Sequence, residues 1–113
     1  MTTAHTGDSA MQTFPKKRIE IVVEAPLLRR ITAKLDETGV TGWSVVPILA
    51  GHGRDGDWTA EGQVGTASQM VMLITIVDAA KLDSVLDAVF TLVSHQIGFI
   101  TVSDIAVVRP ERF

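Results

Sequence analysis

The sequence predicts an α+β domain in which a four-stranded antiparallel sheet carries two helices on one face. Short runs of two-residue apolar alternation stand at four places, and two longer stretches repeat their apolar residues at helical spacing. In chain order these segments read β-α-β-β-α-β. A chain of 113 residues, 46% hydrophobic and 20% charged, has the size and balance of a single globular domain.

Residues 1–16 read as a flexible N-terminal tail, because "MTTAHTGDSAMQTFP" has neither the basic nor the apolar segment of a secretory signal. The domain is expected over 17–113. In "RIEIVVEA" Ile19, Ile21 and Val23 alternate with Glu20, Val22 and Glu24, which is the pattern of a strand. Pro26 suits the first turn of a helix, Leu27, Leu28, Ile31 and Leu35 follow at helical spacing, and Gly39 offers a left-handed stop.

"WSVVPIL", residues 43–49, reads as a second strand, which Pro47 assigns to an edge or a bulge. "QMVMLITIV", residues 69–77, is apolar on both sides of its alternation, so both its faces are expected to be covered. Asp78 is placed as an N-cap, and Leu82, Val85, Leu86, Val89, Phe90 and Val93 then mark one buried helical face. "FITVSDIAVVR" supplies the fourth strand before the tail "PERF". This order is the split βαβ, or ferredoxin-like, arrangement. Its second sheet face needs a cover, and Val22, Val45, Met72 and Ile74 on that face are expected to pack against further copies in a small closed ring.

Composition removes several functions. A net charge of −3 and a pI near 5.5, without a basic run, argue against nucleic acid as a partner. The absence of cysteine removes disulfides, thiolate metal sites and thiol nucleophiles. The longest apolar stretch, "MVMLITIV", is far short of a membrane span, so a cytoplasmic protein without membrane insertion is expected. No nucleophile-elbow pattern surrounds any serine, and the asparagine that places water in acylphosphatase-like chemistry is missing, so no catalytic residues are assigned and no enzyme is expected. His52, Asp55, Asp57 and Glu61 match no metal spacing and are expected to be solvated loop residues, not metal ligands, while His95 suits the carboxyl end of a helix.

The stretch "AGHGRDGDWTAEGQVG", residues 50–65, joins the second and third strands with five glycines, an arginine and three acids. Hairpin connections usually take about 2–5 residues, and open loops beyond about 12 are commonly either functional or disordered. Three glycine segments, "ETGVTGW", "AGHGRDG" and "HQIGF", fall at element ends, where backbone amides approach a ligand closely; Arg54, Arg109 and Arg112 offer forked donors to phosphate. Together these features suit an anion site, the alternative being that Gly39 and Gly98 are only helix stops and the terminal arginines only a solvated end.

With "KKRIEIVVEAPLLRRITAKLDETGVTGWSVV" at the front, "GHGRDG" opening the loop and "QIG" after the second helix, residues 17–112 resemble the PII family of signalling proteins. That family consists of trimers of ferredoxin-like subunits binding adenine nucleotides in clefts between chains. The resemblance implies a homotrimer whose T-loop spans about 51–66. It implies nucleotide contacts from Gly39, Val40 and Thr41 with Val22 nearby, from Gly51, Gly53 and Arg54 at the loop base, from Gln96, Ile97 and Gly98, and from Arg109 and Arg112 of a neighbouring subunit.

The departures carry information as well. Asp55 follows "GHGR" where nitrogen-control members carry a glutamine that helps bind 2-oxoglutarate; the modifiable tyrosine is absent, and the turn after the second helix is shortened to "QIGFIT". With "GWSVVPILAGHGRDGDW" and "RPERF", the chain is similar to the carboxysome-associated PII-like members. That similarity implies ADP or AMP bound together with bicarbonate, the latter by Gly51, His52, Gly53 and Arg54. It also implies a partner engaged by Asp57 and Trp58, either a membrane bicarbonate transporter or another protein of carbon metabolism. No cofactor beyond these ligands is implied. A nitrogen regulator binding ATP with 2-oxoglutarate and a CutA-like metal-binding trimer remain the alternatives.

Overall fold

The computed structural model describes residues 11–53, 56–59 and 69–113. Its elements in chain order are β1 (Phe14–Glu24), α1 (Leu28–Glu37), β2 (Trp43–Ile48), β3 (Ala50–Gly53), β4 (Gly56–Thr59), β5 (Met70–Val77), α2 (Ala79–Val93) and β6 (Gly98–Val107), with short 3₁₀ turns at Ala25–Leu27 and Pro110–Arg112. Strands β2, β5, β1 and β6 form one antiparallel sheet in that spatial order. The predicted α+β architecture is therefore present.

The alternation of β1 determines which face is covered. Ile19, Ile21 and Val23 lie in rows with Thr75, Leu73 and Val71 of β5, and all are buried beneath the helices. Ile31 and Leu35 of α1 and Val85, Val89 and Val93 of α2 close the same core. Phe90, expected on the buried face of α2, is 62% exposed. The stripe centres on Val85, Val89 and Val93 at four-residue spacing, and Phe90 stands about 100° round the helix from Val89.

Three further expectations change. Strand β1 begins at Phe14, so residues 14–16 are strand and not tail. Phe14 to Lys16 pair only with β6, beyond the last β5 pair at Lys17↔Val77, and this one-sided position tolerates Pro15 where the alternation had given no signal. Val45 lies in the row of Leu73 and packs on the helix-side core, so the open face carries Val46 and Ile48 from β2 instead. Asp78 has the extended backbone of an N-cap, but its carboxylate accepts from the buried Lys16 ammonium and caps no helix amide.

The loop also differs. Ala50 to Gly53 pair with Gly56 to Thr59 as a second, two-stranded antiparallel sheet, where an open loop had been expected. Four-residue strands rich in glycine carry little strand propensity, and the Asp-Gly pair of "GRDG" stands without the flanking apolar alternation that would announce a hairpin. Strand β2 takes the predicted edge position, bonded only to β5.

Candidate functional site

One group of the candidate residues gathers where β1 ends and β6 begins. Gly98 lies opposite Val23 and has φ +153°, a conformation that favours glycine; a Cβ there would collide with the Val22 carbonyl oxygen and lie 3.1 Å from Val23 Cγ1. Glycine thus allows β6 to start directly against Val22. Gln96 donates its backbone N–H to the Val93 carbonyl at 2.9 Å, closing α2, and Gln96 and Gly98 line a groove of about 320 Å³ with Phe90, Val93 and Phe99. Ile48 ends β2 in the row of Met70 and Glu24, so β3, with Gly51, His52 and Gly53, leaves the sheet from this same end.

A second group forms at the α1–β2 turn. Helix α1 ends with Val40 N–H donating to Leu35 O and Gly39 N–H to Asp36 O, both at 3.1 Å, and Gly39 takes φ +82°. This is a Schellman closure, with Val40 packed on the core beneath it. The turn is then held from three directions. Lys81 Nζ of α2 donates to Gly39 O at 2.9 Å, the buried Thr75 hydroxyl donates to Gly42 O at 2.7 Å, and Thr41 Oγ1 donates to Arg112 O at 3.1 Å. The C-terminal segment, with exposed Arg109 and Arg112, is thereby brought to Thr41 of its own chain, where the resemblance had implied that of a neighbouring subunit. Arg109 Nε faces Glu111 Oε2 at 3.4 Å.

The two groups occupy diagonally opposite corners of the sheet. Gly98 lies in the row of Val23 and Trp43 in the row of Ile19, so about 13 Å along the strands and about 14 Å across them separate the two, with Thr41 two residues further out. One chain does not bring Gly39, Val40, Thr41, Arg109 and Arg112 together with Val22, Gly51, Gly53, Gln96, Ile97 and Gly98. His52 stands on β3, exposed, in register with Asp57, and Gly51 pairs with Trp58. Arg54, like Asp55, lies outside the described residues, as do the side chains of Asp57 and Trp58.

Sequence reasoning missed Lys81, Thr75 and Trp43. The first two act across long sequence separations that no local pattern announces. Trp43, 43% exposed, was read only as the start of a strand; it lines a groove of about 440 Å³ with Pro26, Leu28 and Arg29 beside α1. Among the described residues, no group of three or more His, Asp or Glu side chains could hold a metal ion, and no helix is long and apolar enough to cross a membrane.

A split βαβ sheet with a ribbon rising from β2 and glycine-bound turns at two corners is the architecture of the PII-like signalling proteins. The model of the family described as nitrogen regulatory protein P-II matches residues 16–112, and the chain belongs to that family. Among solved structures, the chain is similar to CPII, a nitrogen regulatory PII-like protein from Thiomonas intermedia, bound to ADP, AMP and bicarbonate. That match has 28% identity and a TM-score of 0.85, covering 92% of this chain and 98% of that one. A structure of the same relative with ADP and bicarbonate matches at 30% identity and a TM-score of 0.80, over 92% and 99% of the two chains. A PII-like signalling protein from Thermus thermophilus shares the fold at 24% identity, with a TM-score of 0.76 over 91% and 99%. No curated protein matches the chain.

Proposed function

We propose that this PII-family chain assembles as a homotrimer and binds ADP or AMP together with bicarbonate in the clefts between subunits. The ribbon-bearing T-loop then reports occupancy to a partner in inorganic-carbon uptake or carboxysome metabolism. The observation that carries this reading is the diagonal separation of the two candidate corners. A nucleotide-sized site is completed only when the Gly39–Thr41 corner of one subunit, with its Arg109 and Arg112, meets the Val22–Gly98 corner and loop base of the next. The chemistry of each half is complementary: glycine-lined backbone amides at one side and forked cations at the other suit a phosphate between them.

The relative whose two structures hold ADP and bicarbonate supports the ligand class. Bicarbonate would sit against Gly51, His52, Gly53 and Arg54 beside the nucleotide, and Asp55 would repel the second carboxylate of 2-oxoglutarate. Asp57 and Trp58 on β4 would meet the partner, with the indole as the apolar anchor.

Isothermal titration calorimetry with AMP, ADP and ATP, each with and without bicarbonate, tests the reading. The expected result is ADP or AMP binding that tightens in bicarbonate. Binding of ATP with 2-oxoglutarate instead would make the chain a nitrogen-type regulator, and indifference to every nucleotide would remove the cleft assignment.

A further inference from the structure

The Thr41 hydroxyl has a single proton, and the structure commits it to the Arg112 carbonyl across a sequence separation of 71 residues. In that state Thr41 has no proton left to donate to a ribose or phosphate oxygen, although it stands in the turn assigned to the nucleotide. The segment it holds has structure of its own. Arg112 N–H donates to Arg109 O and Phe113 N–H to Pro110 O, each at 3.2 Å, and Pro110 and Phe113 are half-buried. The turn on the other side of the bond is equally fixed, by Lys81 on Gly39 O and Thr75 on Gly42 O. Two stiff segments are therefore joined by one hydroxyl.

We propose that Thr41 is a positioning residue, a latch that fastens the C-terminal turn to the α1–β2 turn so that Arg109 and Arg112 are held ready for the phosphate of a bound nucleotide. This rests on the nucleotide reading above and adds to it a division of labour. The corner's backbone meets the nucleoside, while the Thr41 hydroxyl acts on the phosphate only through the arginines it places. Opening the latch leaves both arginines in the chain but lets them swing with the tail, so their ordering becomes a cost of binding.

The test uses the full chain with Thr41→Val, which keeps the side-chain shape without the hydroxyl, and Thr41→Ser, which keeps the hydroxyl. Heteronuclear ¹H–¹⁵N NOEs of the Arg112 and Phe113 amides report tail order without any ligand. Calorimetry with ADP and with adenosine separates phosphate reading from nucleoside reading. The latch predicts that Thr41→Val lowers both NOEs and weakens ADP roughly three- to tenfold, the range of one hydrogen bond, and adenosine by clearly less. Thr41→Ser should restore the wild-type values.

If the tail stays ordered in Thr41→Val, or if ADP and adenosine weaken equally, Thr41 is not a latch and touches the nucleoside directly or not at all. If the wild-type chain binds neither ligand, the nucleotide reading fails on its own account. The NOEs then decide whether the latch exists: a fall in Thr41→Val keeps it, and no change removes it.

Discussion

Gly98 carries the strictest demand placed on any single residue of the sheet. Its φ of +153° and the carbonyl of Val22 beneath it leave no room for a Cβ, and the obstructing atoms are backbone, which cannot turn aside. Gly98→Ala is therefore expected to cost about 1–3 kcal/mol in urea denaturation, with the shift concentrated where β6 meets β1. Asp104 gives a prediction of opposite character. The Lys17 ammonium donates to its carboxylate at 2.5 Å and adds its charge, holding Asp104 below its ordinary pKa of 3.8. A carboxyl depressed in the folded state stabilises above its unfolded pKa and loses that contribution as pH falls through the folded one. Asp104→Asn should then lower stability near pH 7, and the difference should shrink as the pH falls below 3.8, as measured by denaturation across that range. Gly98 was legible in the sequence as the glycine of "QIG" after a helix, and Gly39 as a helix stop. The bonds Thr41 to Arg112 and Lys81 to Gly39 were not, because they join residues 71 and 42 apart and depend on how whole elements pack.

Elements were read best where their periodicity was strong and their burial one-sided. Strand β1 around Ile19, Ile21 and Val23 and helix α2 around Val85, Val89 and Val93 bury the residues their spacing marked. The stretch from Phe14 to Lys17 was missed because its pairing comes from β6 alone up to Lys16 and shows no alternation, and the β3–β4 ribbon because glycine hides a strand's pattern. The edge of the α2 stripe was misplaced by one residue, and this yields a test on adjacent positions. Val89, 1% exposed, leaves a core cavity when cut to alanine and should cost about 2 kcal/mol in thermal or urea denaturation. Phe90→Ala, at a position 62% exposed, should cost less than half as much despite removing the larger side chain. Equal losses would mean that Phe90 is covered in solution by a contact that the single chain does not contain.

At the scale of the whole molecule, the sheet has one face under helices and one without them. The open face carries Val22, Val46, Met72, Ile74 and Phe99, with Arg18 and Glu20 paired at 2.9 Å among them. An apolar face crossed by one ion pair is suited to burial against copies of itself, where the hydrophobic area drives association and the charged pair favours one register. The two candidate corners lie far apart on each chain, so assembly and ligand binding are expected to fail together. Ile74→Asp places a second carboxylate beside Glu20 in the middle of this face, away from both corners. It should dissociate the proposed homotrimer to monomers in sedimentation velocity, leave the far-UV circular dichroism spectrum unchanged, and abolish ADP binding in calorimetry. Each corner would persist in such a monomer, but neither could be completed by its counterpart. A folded monomer that bound ADP as tightly as the wild type would place the whole site within one subunit, and the separation of Thr41 from Gly98 would then have no bearing on the ligand.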